Sequence, residues 1–422
     1  MKLSKFGTKF TSEAGIISLM DDLGNALGGG DDMIMMGGGN PGHVPAFEDL
    51  LQKRLSEIAS SRARIRELVG IYDPPQGNIR FIKHCAELLR REYGWDVGPE
   101  NICLTNGSQT GFFILFNMFG GRFEDGTRKQ IRLPLTPEYI GYTDLGLDPD
   151  LFVATKPRIE YLEDRMFKYR VDFDSLEIGP ETGAICVSRP TNPTGNVITD
   201  SEVQQLLELS RQQEVPLILD NAYGVPFPGI IFTEATPMWD SNVIKCLSLS
   251  KLGLPAVRTG IVVAREDIIR CISSMTAIIS LAPSSFGPLL IDDFVASGEI
   301  LSLGEKIIRP FYQRKCEKAL GWIHQELAGV PYRVHKPEGS MFLWLWFEDL
   351  PGGSNDLYQQ LKEHGVLVVS GEYFFPGLNE DWKHRSECVR LTYSQDDEIV
   401  EKGIKIIGSV VKDIYRRGER NR

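Results

Sequence analysis

Between residues 100 and 265, short apolar runs rich in Val, Ile and Leu alternate with longer segments whose apolar residues follow a helical spacing. Strands that alternate with helices form sheets covered by helices on both faces. This segment therefore predicts an α/β sheet with seven strands, at Ile102–Leu104, Ile131–Leu133, Leu151–Val153, Ile185–Val187, Leu217–Leu219, Ile244–Leu247 and Ile261–Val263.

The pattern changes from about residue 305. A helical stretch, a strongly apolar strand, a second helix and a short apolar run follow one another: Ile307–Leu327, Met341–Phe347, Asp356–His364 and Val366–Val369. This order is typical of a smaller α+β domain. We therefore predict an N-terminal arm at 1–50 that packs beside the small domain, a large domain at 51–305 and a small domain at 306–422.

Length, charge and composition argue against several classes of partner and location. The 422 residues are enough for two domains, and a net charge of -11 argues against nucleic acid or an anionic membrane as a partner. The seven-residue run Met341–Phe347 is far shorter than the roughly 20 residues that span a bilayer. The N-terminus lacks the apolar stretch of a signal peptide, so we expect a cytoplasmic protein. The seven cysteines and six histidines lack metal-ligand spacing, which favours reduced thiols and no metal.

Reactive side chains follow three of the predicted strands. Asn192 follows Ile185–Val187, Asp220 and Tyr223 follow Leu217–Leu219, and Lys251 follows Ile244–Leu247. In α/β sheets ligands bind beyond the carboxyl ends of the strands. We therefore expect a carboxylate, a phenol, an amide and a lysine in one cleft, the groups needed to hold pyridoxal 5'-phosphate and use it as an electron sink.

Each group has a predicted role. Lys251 would form a Schiff base with the cofactor aldehyde, and Asp220 would keep the ring nitrogen protonated. Tyr223 and Asn192 would donate to the ring oxygen. Alone, such a lysine is usually a surface cation and such an aspartate a helix cap, so the combination carries the interpretation.

Further polar residues predict anion sites. Gly107, Ser108 and Gln109 lie between the strand at Ile102 and an apolar helix, where free backbone N–H groups point at an anion. Ser248 and Arg258 flank Lys251 and could add a hydroxyl and a guanidinium for a phosphate. Arg390, in a β-like run of the second domain, could grip a substrate carboxylate in bidentate fashion.

The order N-P-x-G, D-x-x-Y, S-x-S-K and a distal arginine closely resembles the fold-type I pyridoxal-phosphate aminotransferases of the aspartate aminotransferase superfamily. The resemblance implies a mostly parallel seven-stranded sheet in the large domain. It also implies that Tyr139 stacks on the cofactor ring and that the Gly39 backbone joins Arg390 and Asn192 at the substrate. Tyr72 would reach the phosphate of the neighbouring subunit, which implies a homodimer with shared active sites.

Longer stretches, such as those from Ser188 to Asp200 and from Asp220 to Phe232, resemble the branch of the superfamily that acts on small apolar amino acids. The resemblance implies ping-pong transfer of an amino group between valine or alanine and pyruvate or 2-oxoisovalerate. Ile16 and Ile17, in the apolar arm, would contact the substrate. One departure is that Arg258 follows Lys251 by seven residues where many relatives have eight, which puts its phosphate role in doubt.

Two alternatives stay open at this point. The same groups activate the α-carbon for β-elimination or C–S bond cleavage, because the fate of the carbanion depends on groups that the sequence does not place. A non-catalytic pyridoxal-phosphate-binding regulatory domain would need an added DNA-binding module, and the arm is too short and not basic enough to supply one.

Overall fold

The computed structural model describes residues 1–11 and 33–420. All seven predicted strands form, and they lie in one eight-stranded sheet. Its strands are β2 (Ile102–Asn106), β3 (Gly121–Arg122), β4 (Arg128–Leu133), β5 (Phe152–Ala154), β8 (Thr182–Ser188), β9 (Leu217–Asp220), β10 (Val243–Ser248) and β11 (Thr259–Val263).

The central strands of this sheet are parallel. The order is β2-β11-β10-β9-β8-β4-β3, with β5 beside β4. Strands β5, β4, β8, β9 and β10 pair in parallel, whereas β11 is antiparallel to both β10 and β2. Strand β2 therefore ends at the same edge as β8, β9 and β10, and β11 begins there.

Alternating side chains of these strands enter different cores. On β2, Cys103 packs into one apolar cluster, whereas Ile102 and Leu104 pack into another on the opposite face. On β9, Ile218 likewise packs into one cluster, whereas Leu217 and Leu219 pack into another. This period of two is the side-chain alternation of a strand. The sheet is therefore buried on both faces, as the apolar runs predicted.

Helices cover the sheets and continue into the C-terminal part. The helix Ile79–Tyr93 begins at Asn78, whose side chain accepts the N–H of Phe81, and ends at the left-handed Gly94. The other helices are Lys5–Phe10, Pro45–Ala59, Arg62–Val69, Ser108–Phe119, Asp200–Gln212, Glu266–Ser280, Phe286–Ser297, Glu299–Leu303, Arg309–Glu326, Gly353–Glu363 and Asp397–Arg420. Among the described residues, no helix is both long and apolar enough to cross a membrane.

A second sheet has six strands: β6 (Arg158–Tyr161), β7 (Met166–Arg170), β12 (Tyr332–His335), β13 (Phe342–Phe347), β15 (Val369–Ser370) and β16 (Cys388–Thr392). Their order in the sheet is β15-β16-β13-β12-β7-β6. The predicted strand at Met341–Phe347 is thus confirmed. Strands β6 and β7 lie within residues 51–305, the range predicted for the large domain, yet β7 pairs with the C-terminal strand β12. The sequence pattern did not predict this pairing.

The apolar run Val366–Val369 is divided between two sheets, which the sequence did not predict. Strand β14 (Val366–Leu367) pairs in parallel with β1 (Ile34–Met35), whereas Val369 pairs with Arg390 of β16. Since β1 belongs to the N-terminal arm, this pairing places the following Gly37–Asn40 stretch beside the second sheet.

A buried ion pair joins β7 to the segment that follows β8. The Lys168 ammonium contacts the Glu338 carboxylate and donates to the carbonyl oxygen of Val197 at 2.9 Å. The same carboxylate accepts the N–H of Val197 at 3.1 Å. Both backbone groups of this residue are therefore held by one ion pair, which secures the loop that carries Asn192.

Lys168→Met should lower the free energy of unfolding by about 3 kcal/mol, because it leaves a buried carboxylate without its main counter-charge. Chemical denaturation of the variant measures this loss. The double variant Lys168→Met/Glu338→Gln should be more stable than the single variant, since it has no buried unpaired charge. Equal or lower stability of the double variant would contradict this explanation.

Candidate active site

A cavity of about 390 Å³ lies at the edge where β2, β8, β9 and β10 end. Ten of the predicted site residues line it: Gly39, Ser108, Gln109, Tyr139, Asn192, Asp220, Tyr223, Ser248, Lys251 and Arg258. Gly107 and Arg390 lie directly behind this lining, and Tyr72 is on the surface. Ile16 and Ile17 lie outside the described residues.

Strand register places Asp220 at the centre of the site. It is the last residue of β9, opposite Ser188 of β8 and Cys246 of β10. Its carboxylate accepts the N–H of Ala222 at 2.9 Å and the phenol of Tyr142 at 2.6 Å. Burial raises the pKa of Asp220, while these two hydrogen bonds and the charge of Lys251 oppose that rise.

Lys251 lies in the single turn that follows β10. Its ammonium donates to the carbonyl oxygen of Gly39 at 2.6 Å and lies 5.3 Å from the centre of the Tyr223 ring. Burial, then the charges of Arg390 and Arg258, lower the pKa of Lys251 to about 7, against the opposing charge of Asp220. A substantial fraction of neutral amine near neutral pH is what a nucleophilic lysine requires.

Two donors face the cavity with hydrogen-bonding capacity to spare. The buried hydroxyl of Tyr223 has no hydrogen-bond partner within the described chain. The side-chain oxygen of Asn192 accepts from the Arg390 guanidinium at 2.7 Å, which leaves the amide N–H₂ group available to donate. An unsatisfied buried hydroxyl costs free energy, so this arrangement favours a ligand with an acceptor oxygen.

The end of β2 and the start of β11 form a cradle for an anion. Gly107 has a φ of 82° and precedes the helix Ser108–Phe119, whose first N–H groups are free of intrahelical partners. Because Thr259 of β11 pairs with Asn106 of β2, the preceding Arg258 lies against Gly107. A Cβ atom at Gly107 would collide with that guanidinium. Although the loop after Lys251 is one residue shorter than in many relatives, Arg258 still lies at this cradle. A contact between Arg258 and phosphate stays a prediction.

Arg390 reaches the site from the second sheet. Its guanidinium donates to Asn192 and, at 2.6 Å, to the carbonyl oxygen of Gly37, and it lies 4.2 Å from the centre of the Phe342 ring. Burial lowers its pKa to about 10. Its Nε has no partner among the described residues. A buried cation with neutral partners favours an anionic ligand.

These groups fit pyridoxal 5'-phosphate. Asp220 suits the ring nitrogen, the unpartnered Tyr223 hydroxyl suits the ring oxygen, and Lys251 suits the aldehyde. The cradle at Gly107 and Ser108 suits the phosphate. The individual contacts remain predictions. No cluster of three His, Cys, Asp or Glu side chains that could hold a metal ion occurs in the part of the chain that the structure describes.

Sequence reasoning missed three buried residues near Asp220: Ser188, which also lines the cavity, and Tyr142 and Glu138. Tyr142 contacts Asp220 directly, and Ser188 links Tyr142 to Glu138. In this part of the chain the sequence pattern points to Tyr139 alone. A second tyrosine three residues later, one helical turn away, was the available signal.

Comparison with known proteins agrees with this geometry. The family model of aminotransferase class I and II matches residues 157–407. The valine–pyruvate aminotransferase of Escherichia coli (strain K12) is 49% identical over 98% of both chains. A crystal structure of valine-pyruvate aminotransferase from Salmonella typhimurium LT2 has a TM-score of 0.88 and 48% identity, covering 95% of this chain and 99% of that one. The aspartate aminotransferase of Thermus thermophilus with maleate shares the fold, with a TM-score of 0.77, 18% identity and coverage of 97% and 100%.

Replacing charged neighbours should move the pKa of Lys251 in opposite directions. Arg258→Gln removes a cation and should raise it, whereas Asp220→Asn removes an anion and should lower it further. The pH dependence of Lys251 labelling in the apoprotein, by an amine-reactive reagent with peptide mass mapping, measures both shifts. Unchanged midpoints in both variants would show that burial alone sets the pKa.

Proposed function

This chain belongs to the class I and II aminotransferases, which are pyridoxal 5'-phosphate-dependent enzymes, and we propose that it transfers an amino group between valine or alanine and pyruvate or 2-oxoisovalerate. The observation that carries the proposal is that Lys251 and Asp220 line the same cavity. The 49% identity to a valine–pyruvate aminotransferase supports the substrate pair.

Pyridoxal 5'-phosphate bound in this cavity would supply a protonated ring able to take up the electron pair left at the substrate α-carbon. Asp220 would keep the proton on the ring nitrogen through a charge-assisted hydrogen bond. The Lys251 amine, neutral in part near pH 7, would hold the cofactor at its aldehyde and would accept the proton that leaves the substrate α-carbon. Tyr223 and Asn192 would orient the ring by donating to its oxygen.

The cations at the site favour a substrate with one carboxylate. Lys251 and Arg258 line the described part of the cavity, and both are assigned to the cofactor, whereas Arg390 faces Asn192 and is assigned to the substrate α-carboxylate. Much of the remaining lining is apolar or aromatic: Phe112, Pro190, Ala222 and Pro255. A second carboxylate, as in aspartate, would be desolvated there without a partner. This supports a small apolar side chain.

Half-reactions of the cofactor-loaded enzyme test the substrate proposal. Valine and alanine should convert the bound cofactor to its amine form at least about tenfold more efficiently than aspartate or tyrosine, because an unpaired buried carboxylate or hydroxyl costs more than 1 kcal/mol. Absorbance spectra follow the conversion. Lys251→Ala is the control, and it should neither react nor yield a borohydride-reduced adduct at residue 251.

Two results would contradict the proposal. A preference for aspartate or tyrosine would refute the small apolar substrate. Release of ammonia and pyruvate from cystathionine, without any 2-oxo acid acceptor, would indicate β-elimination in place of transfer.

We also infer that the enzyme acts as a homodimer that shares its active sites. Tyr72 is 83% exposed, and several large apolar side chains of the chain are exposed as well: Val69, Ile71, Ile278, Ile279 and Leu281. Asn106, next to the phosphate cradle, bonds Ser280 and the N–H of Ser284, which links the segment that follows Ile278 and Ile279 to the site. Large exposed apolar surfaces are typical of protein interfaces. The cytoplasmic location stays a prediction.

Mixing two defective variants tests the sharing. Lys251→Ala should be inactive, and Tyr72→Phe should bind the cofactor about tenfold more weakly through loss of a hydrogen bond to phosphate. At limiting cofactor, subunit exchange between the two should restore about a quarter of wild-type activity, because half of the dimers gain one intact site. Activity no greater than the sum of the separate variants would show that Tyr72 acts within its own subunit.

A further inference from the structure

A chain of hydrogen bonds runs from the cavity into the core behind Asp220. The Tyr142 hydroxyl lies 2.6 Å from the Asp220 carboxylate and 3.3 Å from the Ser188 hydroxyl. The Ser188 hydroxyl lies 2.6 Å from the Glu138 carboxylate, which also accepts the Ser188 N–H at 2.8 Å. Two carboxyl groups are thus joined through a phenol and an alcohol.

All four side chains are buried, and Glu138 has no exposed surface. Within residues 1–11 and 33–420, the hydrogen-bond partners of Glu138 are Ser188 and the backbone N–H of its neighbour Tyr139, and none of them is a cation. A buried carboxylate without a counter-ion is expensive, so its retention at this place needs an explanation. The proposed mechanism does not use it directly.

We propose that Glu138 is a positioning residue for the reaction, acting on Asp220 through Ser188 and Tyr142 and so setting how strongly Asp220 holds the proton of the cofactor ring. The inference rests on the proposed role of Asp220. No contact between Glu138 and cofactor or substrate is required.

The protonation state of Glu138 determines the direction of the chain. When Glu138 is protonated, it donates to Ser188, Ser188 donates to Tyr142, and Tyr142 donates to Asp220. When Glu138 is ionised, Ser188 turns its proton toward Glu138 and no longer donates to Tyr142. Hydrogen bonds that point the same way polarise one another, so the first state stabilises the Asp220 charge more strongly. A better stabilised carboxylate holds the ring proton less tightly.

Of the ionisable groups that face Glu138, only Asp220 carries a charge near pH 7, and that charge opposes ionisation of Glu138. Burial, aided by the charge of Asp220 and opposed by the hydrogen bonds from Ser188 and Tyr139, raises the pKa of Glu138 to about 8. Tyr142 and Cys186 are the other ionisable groups coupled to it, and Tyr139 is its chain neighbour. Burial raises the pKa of each of these three groups, which keeps them neutral near pH 7.

A double-mutant cycle tests the connection. In Glu138→Gln the amide donates permanently to Ser188, as the protonated acid would, so the variant keeps this arrangement also at pH values where Glu138 of the wild type is ionised. The absorption change of the bound cofactor with pH should therefore shift its midpoint to lower pH. Most of this shift should disappear in a Ser188→Ala or Tyr142→Phe background, because the chain is already broken there.

Two outcomes of that cycle would overturn the inference. A full shift in both backgrounds would show that Glu138 acts through space as a charge. A loss of thermal stability without any shift would show a purely structural role. Glu202→Gln provides the matched control, since Glu202 is also a buried carboxylate but caps the helix Asp200–Gln212 away from the cavity lining. It should lower stability and leave the spectrum unchanged.

The apoprotein offers an independent measurement. Because the folded pKa of Glu138 is raised, the folded state retains a proton that the unfolded chain has released, and stability falls as pH rises from the ordinary carboxyl range to about 8. Glu138→Gln should flatten this part of the unfolding profile, and an unchanged slope would count against the inference. Failure of the wild-type protein to take up pyridoxal 5'-phosphate would instead refute the proposed function, while the apoprotein measurement would still report on Glu138.

Discussion

Parallel pairing of β8, β9 and β10 is the constraint on which the site depends. It brings the carboxyl ends of three strands to one edge, in a register that sets Asp220 beside Ser188 and Cys246. The segments that follow these strands carry Asn192, Tyr223 and Lys251 into the same cavity. Strand pairing is held by backbone hydrogen bonds and by apolar cores on both faces, so these side chains are placed by a rigid frame.

Within this frame, positive charges outnumber negative charges around the cavity. Among the described residues, Lys251, Arg258 and Arg390 converge near one carboxylate, Asp220, and burial lowers the pKa of both Lys251 and Arg390. The result is a lysine with a lowered pKa and an arginine whose hydrogen bonds go to neutral oxygens. Such a site favours a phosphate and a carboxylate together, because each anion relieves the repulsion among the cations.

The two sheets divide the chemical tasks. The large sheet positions the groups assigned to the cofactor, whereas Arg390 comes from β16 of the second sheet and contacts Asn192 of the first. Lys168 and Glu338 add a second link between these parts. Hydrogen bonds through Tyr142 and Ser188 connect Asp220 to Glu138, which is fully buried. A residue without access to the cavity can thereby influence the chemistry within it.

By itself, the sequence determined seven strands of the large sheet, the strand at Met341–Phe347 and most of the residues around the cavity. These follow from local rules: apolar runs favour buried strands, and polar residues just after them meet at one edge of a parallel sheet. Tertiary structure alone decided the pairing of β6 and β7 with the second sheet, the division of Val366–Val369, and the approach of Glu138 to Ser188. Those contacts join residues 21 or more positions apart through registers that no local spacing encodes, because pairing partners are selected by packing of the whole core.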